Sequence, residues 1–159
     1  MDRSRRRNTL LIDTNLLLVL LVGGLDVNQI EQFKRTRAYT RDDYALLAAF
    51  IGEHERMVTT PNVLTEVSNL LGQLTGPLRI RALLTLGALA GALHESYLPS
   101  KHLVLDPHFP SLGLTDTSIL HSLEGGVTVL TDDLQLYLQL AAQGSEVINF
   151  NHLRSGSWG

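Results

Sequence analysis

Residues 10–15, Leu-Leu-Ile-Asp-Thr-Asn, followed at once by Leu-Leu-Leu-Val-Leu-Leu-Val over 16–22, constrain the fold of this chain more than any other stretch. A short apolar run ends on an acid, and an apolar run of helical length follows. A carboxylate between two segments that both seek the interior is costly to shelter unless something holds it. The reading that satisfies all three parts makes 9–13 a buried strand and 15–22 a helix apolar on most faces, ended by Gly23-Gly24. Asp13 then stands at the C-terminal mouth of a central strand, where open α/β sheets collect their ligands. A hard divalent cation is the partner that suits it.

Beyond this stretch, helical and extended patterns alternate. Residues 27–38 and 41–54 read as two helices. The second is opened by a capping box at Thr40-Arg41-Asp42-Asp43 and carries a core stripe at Tyr44, Leu47, Ala48 and Ile51. Residues 26–55 thus form a helical insert or clamp beside the sheet. Met57-Val58-Thr59 is a strand, and Thr60-Pro61 starts a helix over 61–72 that Gly72 ends. Gly76-Pro77 opens a leucine- and alanine-rich helix to about His94. Residues 97–105 give an extended piece and a polar crossing, and Pro107 and Pro110 impose a loop before Gly113. A helix over 115–123, a turn at Gly125-Gly126, a strand over 127–130, a helix over 133–142 and a strand over 147–150 complete the pattern. Strands separated by helices imply a parallel sheet covered on both faces, an α/β fold. A chain of 159 residues makes this a single domain, 1–159, whose residues 1–8 form a basic N-terminal tail.

Several function classes drop out. With no cysteine the chain has no disulfide framework, thiolate zinc site or cysteine nucleophile, which fits a reducing cytoplasm. The run 16–22 falls far short of the ~20 apolar residues that cross a bilayer, so the chain is read as having no membrane partner. A net charge of −3 argues against a protein that coats nucleic acid, but not against an enzyme that attacks it. Two local basic patches exist: Arg3, Arg5, Arg6 and Arg7, and Lys34-Arg35-Thr36-Arg37 with Arg41 close behind. A solvated face or tail accounts for both as well as phosphate contact does.

The acids fall at comparable places. Asp13 ends the first strand, Glu66 lies in the helix after the second, Asp116 starts the helix after Gly113, and Asp132 and Asp133 end the strand 127–130. Glu66 sits about 100° from the centre of the apolar stripe Val63, Leu64, Val67, Leu70 and Leu71, an edge shared with Asn62 and Asn69. A solvated flank is the plain alternative. Asp116 and the 132–133 pair are explained singly by the preference for acids at helix N-termini, with Thr131 or Asp132 as a cap. Strand parity puts Thr131 and Asp133 on one side and Asp132 on the other, so Asp133 is assigned to the site and Asp132 held in reserve. Capping does not explain Asp13 or Glu66. Converging carboxylates repel unless a cation holds them, and Mg²⁺ or Mn²⁺ suits an all-oxygen set. That chemistry is metal-assisted phosphodiester cleavage, in which the ion polarises the phosphate and activates a bound water.

A strand ending in Ile12-Asp13-Thr14-Asn15, a helical Glu66, Gly113-Leu114-Thr115-Asp116, then Leu130-Thr131-Asp132-Asp133 before a helix resembles the PIN-domain nucleases over roughly Asn8 to Phe150. The resemblance implies a Rossmann-like three-layer α/β/α fold with a mostly parallel central sheet. It also implies a Mg²⁺- or Mn²⁺-dependent endoribonuclease, similar to the toxin half of bacterial toxin–antitoxin pairs. By position Asp13, Glu66 and Asp116 match the family's first three acids, Thr131 and Asp133 its Thr-x-Asp motif, and Asn15 a polar residue supporting the first acid. The section 26–55 is longer than in the compact toxins, and none of the six histidines (54, 94, 102, 108, 121, 152) has metal-ligand spacing.

The expectation is therefore an enzyme acting on RNA, with Asp13 and Asp116 as principal ligands and Glu66 and Asp133 completing the ring. A catalytically silent PIN-like module binding RNA or protein is the alternative. A receiver-type domain fits least, since Lys34 and Lys101 are the only lysines and neither is near the late strands. Leucine-rich helices over 15–22 and 77–93 that outgrow one core would expose an apolar face for a homodimer or an antitoxin.

Overall fold

A computed structural model describes residues 8–156; the arginines at 3, 5, 6 and 7 lie outside the described residues. Five strands make one wholly parallel sheet: β1 (Thr9–Ile12), β2 (Arg56–Thr59), β3 (His94–Glu95), β4 (Val127–Thr131) and β5 (Val147–Asn149), in the order β3-β2-β1-β4-β5. Nine helices are described: α1 (Thr14–Leu25), α2 (Gln29–Gln32), α3 (Arg41–Gly52), α4 (Pro61–Leu71), α5 (Gly76–Ala92), α6 (Ser100–Leu103), α7 (Phe109–Leu120), α8 (Leu134–Ala142) and α9 (Phe150–Arg154). The architecture is a three-layer α/β fold of the Rossmann-like kind.

Strand order locates the site. From β1 the chain moves outward to β2 and β3, then returns across β1 to β4 and β5, so its direction reverses between β1 and β4. Both of those strands are buried at every residue, which is why they read as unbroken apolar runs. The crevice outside their C-terminal ends, where the flanking connections diverge, begins at Asp13 and at Thr131.

Helix α1 is apolar almost all round because it is covered almost all round, packing against α2, α3, α4 and α5. It does not stop at Gly23-Gly24 but runs through both to Leu25. Gly23 is there for space: a Cβ on it would stand 2.3 Å from a ring carbon of Tyr44 on α3. The capping box of α3 forms as the spacing predicts, Thr40 accepting from the Asp43 amide and Asp43 from the Thr40 amide. Thr60 likewise caps α4, with Pro61 in its first turn.

Other boundaries differ from the sequence reading. The helix expected over 27–38 shrinks to α2, because the buried Thr36 hydroxyl bonds the Ile30 carbonyl and the chain folds into turns around it. The extended piece expected at 97–105 is replaced by β3 two residues earlier and by α6. Pro110 does not hold a loop but occupies the first turn of α7, where a missing amide costs nothing. The last strand ends at Asn149, which caps α9. Of the two leucine-rich helices, α1 is enclosed, while α5 leaves Ile80 and Leu84 exposed. Among the described residues no helix is long and apolar enough to cross a membrane.

Candidate functional site

Asp13 begins where the β1 ladder ends: its amide still bonds the Leu130 carbonyl at 3.0 Å, and its side chain caps α1. One carboxylate oxygen accepts from the Thr14 amide and the other from the Thr131 hydroxyl, each at 2.7 Å. The group is only 6% exposed. Burial raises its pKa to about 6; the two hydrogen bonds oppose that rise, and the charges of Asp132 and Asp133 add to it.

Thr131, fully buried at the end of β4, joins two acids. Its hydroxyl donates to Asp13 and accepts from the Asp133 amide at 3.0 Å. Asp133, rather than Thr131 or Asp132, proves to be the cap of α8, accepting from the Leu136 amide.

Asp116 owes its place to a break in α7. Gly113 adopts φ 81°, ψ 177° there, a conformation essentially confined to glycine. The second half of α7 therefore restarts at Leu114, its first turn turned toward the crevice. The Thr117 hydroxyl bonds the Gly113 carbonyl and fixes the restart. Burial raises the pKa of Asp116 to about 7, with added repulsion from Asp13, Asp133 and Glu66. Glu66, exposed on the flank of α4, accepts from the Thr14 hydroxyl at 3.0 Å.

Asp13, Glu66, Asp116 and Asp133 thus line one cleft of about 520 Å³, with Asn15 and Asn69 also on its wall. Asn62, on the same helix edge in the sequence reading, is not part of that lining. Three helix N-termini, those of α1, the restarted α7 and α8, open onto it, and their positive ends favour anionic groups there. Asp132 faces elsewhere: its carboxylate accepts from the hydroxyl of Tyr39 and from Asn15 at 3.4 Å. Two residues of the arrangement escaped the sequence reading. Thr14 carried a signal, lying between Asp13 and Asn15; Tyr39 carried none, since it meets Asp132 across 93 residues of chain.

Among the described residues the ion pairs are Asp106 with His108, Asp106 with His121, and Asp43 with Arg154; none neutralises an acid of the cleft. No histidine lines it. Nor are three His, Asp or Glu side chains among the described residues already gathered as a coordination shell. The donor set, oxygen only, with a sheltered acid lacking a cationic partner among the described residues, fits a hard divalent ion that retains several waters. No protein-family model matches this chain, and no curated protein matches it significantly.

Proposed function

We propose that this chain is a Mg²⁺- or Mn²⁺-dependent endoribonuclease of PIN-like type. One observation carries the reading: four acids from four separate segments line a single cleft at the point where the sheet reverses direction, with no cationic side chain among the described residues to balance them. The order of the acid motifs, which resembles that of the PIN-domain nucleases, supports it.

Asp13 and Asp116 would hold the cation, with Asp133 and Glu66 directly or through water. Bound there, the ion supplies Lewis-acid polarisation of a phosphodiester oxygen and a lowered pKa for the attacking water. The chain's own residues do the rest. Thr131 and the Thr14 amide fix both oxygens of Asp13, so the carboxylate meets its ligand without reorganising. The Thr14 hydroxyl holds one oxygen of Glu66. The helix N-termini offer amide dipoles to an incoming phosphate. Among the described residues the cleft is lined by no histidine or lysine, so water would be the nucleophile and the carboxylates the side chains that accept its proton. A protein partner, a second copy or an antitoxin, is proposed for the exposed Ile80 and Leu84 of α5. A light-scattering mass tests the second copy.

A mixed RNA pool should be cut by the wild-type protein with Mn²⁺, and chelation should stop the cutting. Asp13→Asn and Asp116→Asn should each lower the rate by at least the roughly 10–100-fold that losing an outer partner of a metal costs. Equal cleavage by the variants, or activity that survives the chelator, refutes the proposal. RNA retention that weakens steeply with salt, without turnover, would favour a binding module instead.

A further inference from the structure

The Asp132-Asp133 doublet offers two carboxylates where the cleft takes one, and the residue that separates them comes from far away in the chain. Tyr39 follows the turns built on Thr36 and is itself only 6% exposed. Its ring is fixed by Phe150 of α9, centroids 6.2 Å apart, and by the Arg154 guanidinium 4.6 Å from the ring centre. Arg154 is anchored in turn by Asp43 at 2.6 Å and by the Ala38 carbonyl at 2.9 Å. Asp43 is the acid of the α3 capping box. The phenol is thus held by α3, α9 and its own loop, and its hydroxyl is aimed at Asp132.

We propose that Tyr39 is a positioning residue: it holds the Asp132 carboxylate out of the acid cleft, so that Asp133 alone of the pair faces the site. This rests on the reading of the cleft as a cation site. Asp132 needs such restraint. Its carboxylate accepts from Asn15, which itself lines the cleft, so a divalent ion there would draw on Asp132 if it were free. Burial and the carboxylate it serves both keep the Tyr39 hydroxyl protonated, so it stays a donor. Asn15, the second donor to Asp132, lines the cleft and closes the restraint from the near side. A fifth carboxylate in the cleft would bind the ion more tightly and leave fewer of its positions for substrate and water.

The test is Mn²⁺ binding to the metal-free protein, followed by calorimetric titration and by the electron paramagnetic resonance signal of free Mn²⁺. Four proteins are compared: wild type, Tyr39→Phe, Asp132→Asn and the double variant. Tyr39→Phe should tighten Mn²⁺ binding about tenfold, the scale on which outer partners tune a metal. The double variant should bind as Asp132→Asn does. Unchanged or weaker binding by a folded Tyr39→Phe protein overturns the proposal, as does a gain that persists without Asp132. A merely structural tyrosine would lower the melting temperature and leave the binding isotherm alone. Should Tyr39→Phe fail to fold, Asn15→Ala, which removes the exposed donor, should tighten binding in the same direction, and no change there overturns the idea. Asp13→Asn and Asp116→Asn form a separate arm: wild-type binding that survives both refutes the cation reading itself, whatever Tyr39 does.

Discussion

Replacing Asp13 by asparagine in the metal-free protein tests the electrostatics of the cleft without assuming any activity. Asp13 titrates near 3.8 in an unfolded chain and near 6 in the fold, where burial disfavours its charge. Between those values the folded state holds a proton that the unfolded state has lost. Stability therefore falls as pH rises from about 4 to about 6, and the loss is complete above the folded value. A factor of ten in a proton equilibrium is about 1.4 kcal/mol, so ionising Asp13 in the fold costs about 3 kcal/mol. Asparagine is as good a helix cap as aspartate, and its amide keeps a bond to Thr131. Trading charged for neutral hydrogen bonds returns about 1 kcal/mol of that gain. Asp13→Asn should thus be more stable than wild type at pH 8 by about 2 kcal/mol, or roughly 5 °C in a domain of this size.

The assay is thermal unfolding in chelator from pH 4.5 to pH 8. The wild-type melting temperature should drop across this range, with Asp116, raised to about 7, extending the decline upward. The variant's curve should be flatter below pH 6. Added Mn²⁺ should restore the wild type at pH 8, by binding the folded state alone, and leave the variant nearly unmoved. Parallel pH curves for the two proteins would refute the claim that a sheltered, unneutralised carboxylate strains this fold.

Thr131→Val keeps the shape and removes the hydroxyl shared by Asp13 and the Asp133 amide; urea unfolding should show a loss of about 2 kcal/mol. Gly113→Ala forces a side chain into the φ 81° break of α7 at a cost of about 1–3 kcal/mol, and Mn²⁺ titration should weaken as Asp116 is re-aimed. Gly23→Ala drives a methyl into the Tyr44 ring and should destabilise by about 1–3 kcal/mol in the same urea assay, with Mn²⁺ binding by the folded fraction unchanged.

Much of this molecule is written locally. The apolar runs at 10–12 and 127–130 announce central strands, and Thr40 with Asp43, or Thr60 before Pro61, announce helix starts. Strand parity favours Asp133 over Asp132 on the side of Thr131, because successive residues of an extended chain face opposite ways, but β4 itself ends at Thr131 and the Asp132 carboxylate is taken up by Tyr39. Each of these signals lies within a few residues, the range over which backbone geometry and capping bonds act.

The remainder needed the folded chain. Neither glycine of 23–24 ends α1, since the space Gly23 leaves is taken by Tyr44 of a later helix. Residues 27–38 are polar and periodic enough for one helix, yet the Thr36 hydroxyl, once buried, bonds back to Ile30. The acids meet through pairings separated by 52 residues, Thr14 with Glu66, and by 118, Asp13 with Thr131. Composition and periodicity name the groups and the faces they occupy; strand order, helix packing and the break at Gly113 decide which of them share a cleft, because together they set which distant strand ends and helix turns come within reach of one another.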